Sequence, residues 1–126
     1  LTDGRFRGTH TLHVTEAAAE EPAVATVLDG TRWATDLGET ATLLQFSSAF
    51  CAPCRATRRT LEEVARIVPG VTHIEVDAED NLELVRRLGI LRTPTTLVLD
   101  ATGHEVSRAS GAPTKQAVIA GIGAAT

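Results

Sequence analysis

Thr42-Leu43-Leu44-Gln45-Phe46-Ser47, followed closely by Phe50-Cys51-Ala52-Pro53-Cys54-Arg55, is the stretch that decides the fold. Its first six residues form a short, nearly continuous apolar run, the pattern of a strand covered on both faces in a parallel sheet. From Pro53 onward the apolar or small positions Thr57, Leu61, Val64, Ala65 and Val68 recur at spacings of three and four. This predicts a helix with one buried stripe, stopped by Pro69-Gly70. Cys51 then stands where strand passes into helix, so its sulfur faces backbone N–H groups without intrahelical partners and the positive end of the helix dipole. A free thiol ionises near pH ~8.5, and a helix N-terminus in a CxxC motif brings that to about 7 or below, which makes a nucleophile at neutral pH. Cys54, one turn later on the same side, is placed to attack a mixed disulfide. Pro53 has the fixed φ of a first-turn residue and forfeits no hydrogen bond there. The loop these cysteines close is too short to constrain much chain entropy, so the pair reads as chemistry rather than as a staple.

Working outward, Val71 to Asp77 reads as a second buried strand, Asn81 to Leu88 as a helix ended by Gly89, and Thr95 to Leu99 as a third strand. Asp100-Ala101-Thr102-Gly103 is a turn that folds His104 to Ala109 back as an antiparallel partner. Gly111 and Pro113 lead into a C-terminal helix with Val118, Ile119 and Ile122 inward. Upstream, Asp29 predicts a helix cap before Thr31 to Leu37, with Trp33 and Leu37 on one face and Gly38 ending the turn. Residues 8 to 14 alternate as a short edge strand, and the Ala/Glu-rich stretch 16 to 25, broken by Pro22, reads as linker. Residues 1–28 thus form an N-terminal extension and 29–126 the α/β domain, a central mixed sheet of four to five strands with helices on both faces.

One domain fits the 126 residues, and with 3% aromatic content its core must be built from Leu, Val, Ile and Ala. A formal net charge of -4 and a single lysine argue against nucleic-acid binding. Arg55, Arg58 and Arg59 are followed at helical spacing by Glu62 and Glu63, which reads as a solvated, salt-bridged face. No apolar run reaches the roughly 18 residues of a membrane span.

The chain resembles the thioredoxin family over roughly residues 29 to 125. The family's Cys-Gly-Pro-Cys motif matches Cys51-Ala52-Pro53-Cys54, its cis-proline loop matches Thr93-Pro94-Thr95, and Gly103 and Gly111 match the glycine turns around the last strand. The resemblance implies a thioredoxin-like fold and a thiol-disulfide oxidoreductase that reduces protein disulfides through Cys51 and Cys54, with no cofactor beyond that disulfide. It also implies that Pro94 is cis and packs near the sulfurs, that Thr93 pairs its backbone with substrate, and that electrons come from a flavin-dependent thioredoxin reductase. A cytoplasmic monomer is expected. Arg5 and Arg7 would suit a juxtamembrane segment on the cytoplasmic face, with an anchor upstream of this sequence.

Two departures from the family bear on mechanism. The buried acid expected in the strand before the motif is Gln45, which cannot titrate, and the lysine that partners it is His73. An imidazole there is a proton acceptor in range of neutral pH, while the plain structural alternative is a half-buried histidine satisfied by backbone. Phe50 replaces the usual Trp before the first cysteine, keeping the apolar rim and losing an indole N–H. Two other readings stand beside the oxidoreductase. One is a binding or scaffold domain with little turnover, which Gln45 favours. The other is a metal module joining Cys51-x-x-Cys54 to His10-x-x-His13. On a strand, however, those histidines point to opposite faces. His104 reads as a surface residue and Trp33 as a core or rim anchor.

Overall fold

The computed structural model describes residues 6–8 and 26–126. Among these residues, five strands form one sheet in the order β1-β5-β4-β2-β3, where β1 is Arg7–Gly8, β2 Ala41–Ser47, β3 Val71–Asp77, β4 Thr95–Asp100 and β5 Glu105–Ser110. Strands β2 and β3 run parallel and every other pairing is antiparallel. The parallel pair needs a crossover, which helix α1 (Ala52–Ile67) supplies. Helices α2 (Leu82–Leu88) and α3 (Lys115–Ala125) complete the domain.

Alternation along β2 divides its buried side chains between two cores. Leu44 and Phe46 join Ile74, Val76, Leu84, Leu97 and Leu99 on one face of the sheet. Ala41 and Leu43 join Leu61, Val64, Val98, Val118 and Ile122 on the other. Because successive strand residues face opposite ways, Gln45 and Ser47 of β2 and His73 and Glu75 of β3 fall on the second face, beneath α1. The position of every polar group discussed below follows from that parity.

The helix expected over Thr31 to Leu37 is instead a run of turns. Its bonds are of the i to i+3 kind, Thr31 N to Leu28 O at 3.0 Å, Ala34 N to Thr31 O at 3.2 Å and Asp36 N to Trp33 O at 2.9 Å. Gly30 at φ +83° breaks the helical path, and the Asp29 carboxylate turns back to accept from Thr26 N and Thr26 Oγ1. Trp33 and Leu37 nevertheless pack against the first core, as rim anchors do. Leu28 is fully buried in that core, so packing reaches into the segment read as an extension. At the sheet edge Arg7–Gly8 pairs with β5; residues 9–14 of the expected strand, with His10 and His13, lie outside the described residues. Among the described residues no helix is long and apolar enough to cross a membrane.

Candidate active site

Cys51 is the N-cap of α1, and its extended backbone (φ -112°, ψ 102°) lets the Sγ accept a hydrogen bond from Cys54 N at 3.2 Å. Its carbonyl accepts from Cys54 N and Arg55 N as well. Cys51 and Cys54 are joined by a disulfide with their Cα atoms 5.1 Å apart. The two sulfurs are not equivalent, since Cys51 is half-buried at the helix tip and Cys54 is 1% exposed on the inner face. Ala52 and Pro53, both exposed, form the first turn between them. Phe50 is 100% exposed and has a positive φ of 58°, which turns its ring out of the domain.

The Thr93–Pro94 peptide bond is cis. The loop that carries it is tied to the cysteine loop by the Ser48 Oγ and Thr93 Oγ1 hydroxyls, 2.9 Å apart, and to the end of β5 by Gly111 N donating to Pro94 O at 2.8 Å. Leu91, two residues before Thr93, is 94% exposed. Two large apolar side chains thus stand in solvent on the two loops that this hydroxyl contact joins.

Beneath the disulfide lies a polar chain. Gln45, with no exposed surface, donates from Nε2 to Cys54 O and to Ser47 Oγ, both at 2.9 Å, and its Oε1 lies 2.9 Å from His73 Nε2. Ser47 Oγ donates to Glu75 Oε2 at 2.8 Å, and Arg58 grips the same carboxylate through Nε at 2.7 Å and Nη2 at 3.0 Å. The far end of the chain opens on a cleft of about 310 Å³ lined by Ser47, Ser48, Ala49, Arg58, Glu75 and Asp77.

His73 and Gln45 meet as the sequence suggested, and the histidine is satisfied by a side chain rather than by backbone. Sequence reading missed Ser47, Glu75 and Arg58. The signals were periodicities: Ser47 is two residues from Gln45, Glu75 two from His73, and Arg58 one helical turn beyond Cys54. The basic patch on α1 is therefore not only a solvated face, because Arg58 reaches across to β3 while Glu63 binds Lys115 of α3 at 3.0 Å. His104 is a surface residue, its Nδ1 2.8 Å from Thr102 Oγ1. No group of three or more metal-ligating side chains occurs among the described residues.

Burial pushes the His73 imidazole down from its ordinary value, although Glu75 and Glu62 pull it up and Arg58 adds to the depression. For Glu75, burial pulls the carboxyl up, but the bonds from Arg58 and Ser47 outweigh it and leave the group below its usual range. Each group therefore binds its proton less readily in the folded than in the unfolded chain. The stability contributed by His73 is complete above the unfolded value near ~6.5 and is lost as pH falls below it; that of Glu75 is lost lower, through the carboxylate range. Urea midpoints should accordingly fall between about pH 7 and pH 5, and His73→Gln should flatten the upper part of that decline. An unchanged slope in the variant would mean that another group carries it.

A CxxC disulfide at a helix N-cap, with one sulfur near the surface and one sealed, on a mixed sheet beside a cis-proline loop, defines a protein of thiol-disulfide exchange. Sequence comparison agrees, since the thioredoxin profile matches residues 24–124. A thioredoxin of Mycobacterium tuberculosis is 31% identical over 104 residues, covering 80% of this chain and 88% of that protein. One of Methanocaldococcus jannaschii is 32% identical over 78 residues, covering 61% and 86%. Spinach chloroplast thioredoxin F shares the fold with a TM-score of 0.64 at 22% identity, over 81% of this chain and 91% of that one. The chain belongs to the thioredoxin family and is a thiol-disulfide oxidoreductase whose redox group is the Cys51–Cys54 pair. Protein disulfides are the substrate class that membership implies.

Proposed function

We propose that the protein reduces protein disulfides, with Cys51 as the attacking and Cys54 as the resolving thiol. The observation that carries this division of labour is the contrast between a helix-capping, half-buried Cys51 and a sealed Cys54. In the reduced protein the Cys51 thiolate, favoured by the N–H of Cys54 and the helix N-terminus, attacks one sulfur of the substrate disulfide and releases the first substrate thiolate. Cys54 then loses its proton and attacks Cys51 Sγ, closing the Cys51–Cys54 disulfide and releasing the second substrate thiolate. Two electrons pass to the substrate, and two protons are returned to its thiols.

His73 serves as the base for the second step, since Gln45 cannot titrate and the imidazole is held neutral; with Nε2 engaged by Gln45 Oε1, Nδ1 takes up the proton by way of water. Phe50, Ala52, Pro53 and Thr93 form the substrate-facing surface, backed by the buried cis Pro94, and the exposure of Phe50 and Leu91 extends it with apolar area. A thioredoxin reductase returns the electrons, and the protein works as a monomer in the cytoplasm, on the membrane face if an anchor precedes this sequence.

Insulin reduction with a thioredoxin reductase as donor tests the activity, and a potential measured against glutathione tests its direction. We expect catalysed precipitation of insulin and a potential more negative than about -260 mV, on the reducing side of the cytosolic glutathione poise measured by extraction. A potential near that of a strong oxidant would reverse the direction proposed. Binding of insulin with no turnover would favour the scaffold reading that Gln45 makes conceivable.

A further inference from the structure

The hydrogen bonds beneath Cys54 form a chain whose directions can be worked out proton by proton. Arg58 donates twice to Glu75, and an ionised carboxylate is an acceptor only. Ser47 has one hydroxyl proton, and giving it to Glu75 leaves only lone pairs towards Gln45. Gln45 must therefore present its NH₂ group to Ser47, and the second proton of that NH₂ meets the Cys54 carbonyl, which is also an acceptor only. The amide oxygen is left for His73, which has to donate through Nε2–H. Both ends of the chain thus impose the same orientation on one fully buried amide, and no member faces a like partner.

The geometry points to Ser47, Glu75 and Arg58 as positioning residues for the resolving step, a clamp that fixes the Gln45 amide against Cys54 O and so holds the first turn of α1 in place when the disulfide opens. In the oxidised protein the covalent bond itself keeps Cys54 beside Cys51. After reduction that constraint disappears, and what still ties the Cys54 backbone to the sheet from below is the Gln45 amide. Cys54 has to reach Cys51 Sγ in line with the bond it breaks, and misplacement of the attacking group carries a steep rate penalty. The clamp needs no substrate contact, and it leaves the Cys51 attack untouched because it lies on the inner side of the helix. The cleft beside Glu75 opens the charged end of the chain to water, and the bonds from Arg58 and Ser47 keep Glu75 ionised against the cost of its burial.

This inference rests on the proposed roles of Cys51 and Cys54, and a two-phase reaction separates the two claims. Reduced protein is mixed with dithiobis(nitrobenzoate). The Cys51 thiolate displaces one thionitrobenzoate to form a mixed disulfide, and Cys54, losing its proton through water to His73, attacks Cys51 Sγ and displaces the second. Ser47→Ala should leave the first release unchanged and slow the second by at least about fivefold, the worth of one buried hydrogen bond. Glu75→Gln should slow it less, and Ser47→Thr, which restores the hydroxyl, should bring it back towards wild type. In the unsubstituted protein, nitrogen NMR should show His73 as the Nε2–H tautomer. Equal slowing of both phases, an unchanged second phase in Ser47→Ala and Glu75→Gln alike, or an Nδ1–H tautomer would each overturn the clamp. Absence of the first phase in the unsubstituted protein would instead overturn the exchange roles of the cysteines, and the tautomer would then decide the clamp alone. Should Ser47→Ala not fold, the Glu75→Gln variant, at a side chain that is only partly buried, carries the same comparison.

Discussion

Cys51→Ser should reduce insulin no faster than the small-molecule reductant does unaided, a loss of at least about a thousandfold in catalysed rate, because a serine hydroxyl is un-ionised at neutral pH and cannot attack sulfur. Cys54→Ser should behave differently. Its Cys51 still caps α1, with the Cys54 amide position donating to the sulfur, so the first attack proceeds. The mixed disulfide then has no internal thiol to resolve it. Incubated with an oxidised protein substrate, Cys54→Ser should accumulate as a covalent adduct on non-reducing gels, whereas Cys51→Ser should form none. Trapping by Cys51→Ser but not by Cys54→Ser would exchange the two roles. Neither substitution should harm the fold much, since a loop closed over so short a separation contributes little to the chain entropy. Equal urea midpoints for the reduced wild type and both variants would show that activity, and not folding, was lost.

The contrast between those variants could be anticipated from sequence because it depends on local rules. A capping position at the start of an apolar-striped helix places one sulfur at the tip and the other a turn inside, and Pro53 and Pro69-Gly70 bound that helix almost where it runs. Strands β2 and β4 were legible as short apolar runs, whereas the polar β5 was legible only as the return from the Asp100-Ala101-Thr102-Gly103 turn. Thr31 to Leu37 was not, because Trp33 and Leu37 at helical spacing fit a chain of turns as well as a helix, and Gly30 with the backward-facing Asp29 carboxylate decides between them. The hydrogen-bond chain under Cys54 was half visible. Gln45 and His73 stood out as departures in expected places, whereas Ser47, Glu75 and Arg58 each look ordinary alone. They become one device only when the parallel register sets Gln45 opposite Glu75 and α1 brings Arg58 onto the Glu75 carboxylate.

The departure at Gln45 leads to the second large effect. Gln45→Glu keeps the size and shape of the side chain, yet in place of Nε2 it sets an oxygen against Cys54 O and against a Ser47 hydroxyl whose proton is committed to Glu75. A carboxylate there would meet acceptors on two sides with no exposed surface, near a second carboxylate already held ionised. His73 could offset part of the cost by taking up a proton, but burial opposes that charge. We expect the variant to lose about 3–5 kcal/mol of stability at neutral pH, the range for an uncompensated buried charge. Protonation would relieve it, because a neutral carboxyl donates to the Cys54 carbonyl as the amide did. The folded chain therefore holds this proton more tightly than the unfolded one, and the variant should gain stability relative to wild type as pH falls from about 7.5 to 5. Wild type should move the opposite way over that interval, losing the contribution of His73. Urea melts of both proteins at the two ends of the range would give crossing trends. A variant within about 1 kcal/mol of wild type at neutral pH would mean that the site accepts a carboxylate as readily as an amide, and that the fixed orientation of Gln45 is not what the residues around it are built to hold.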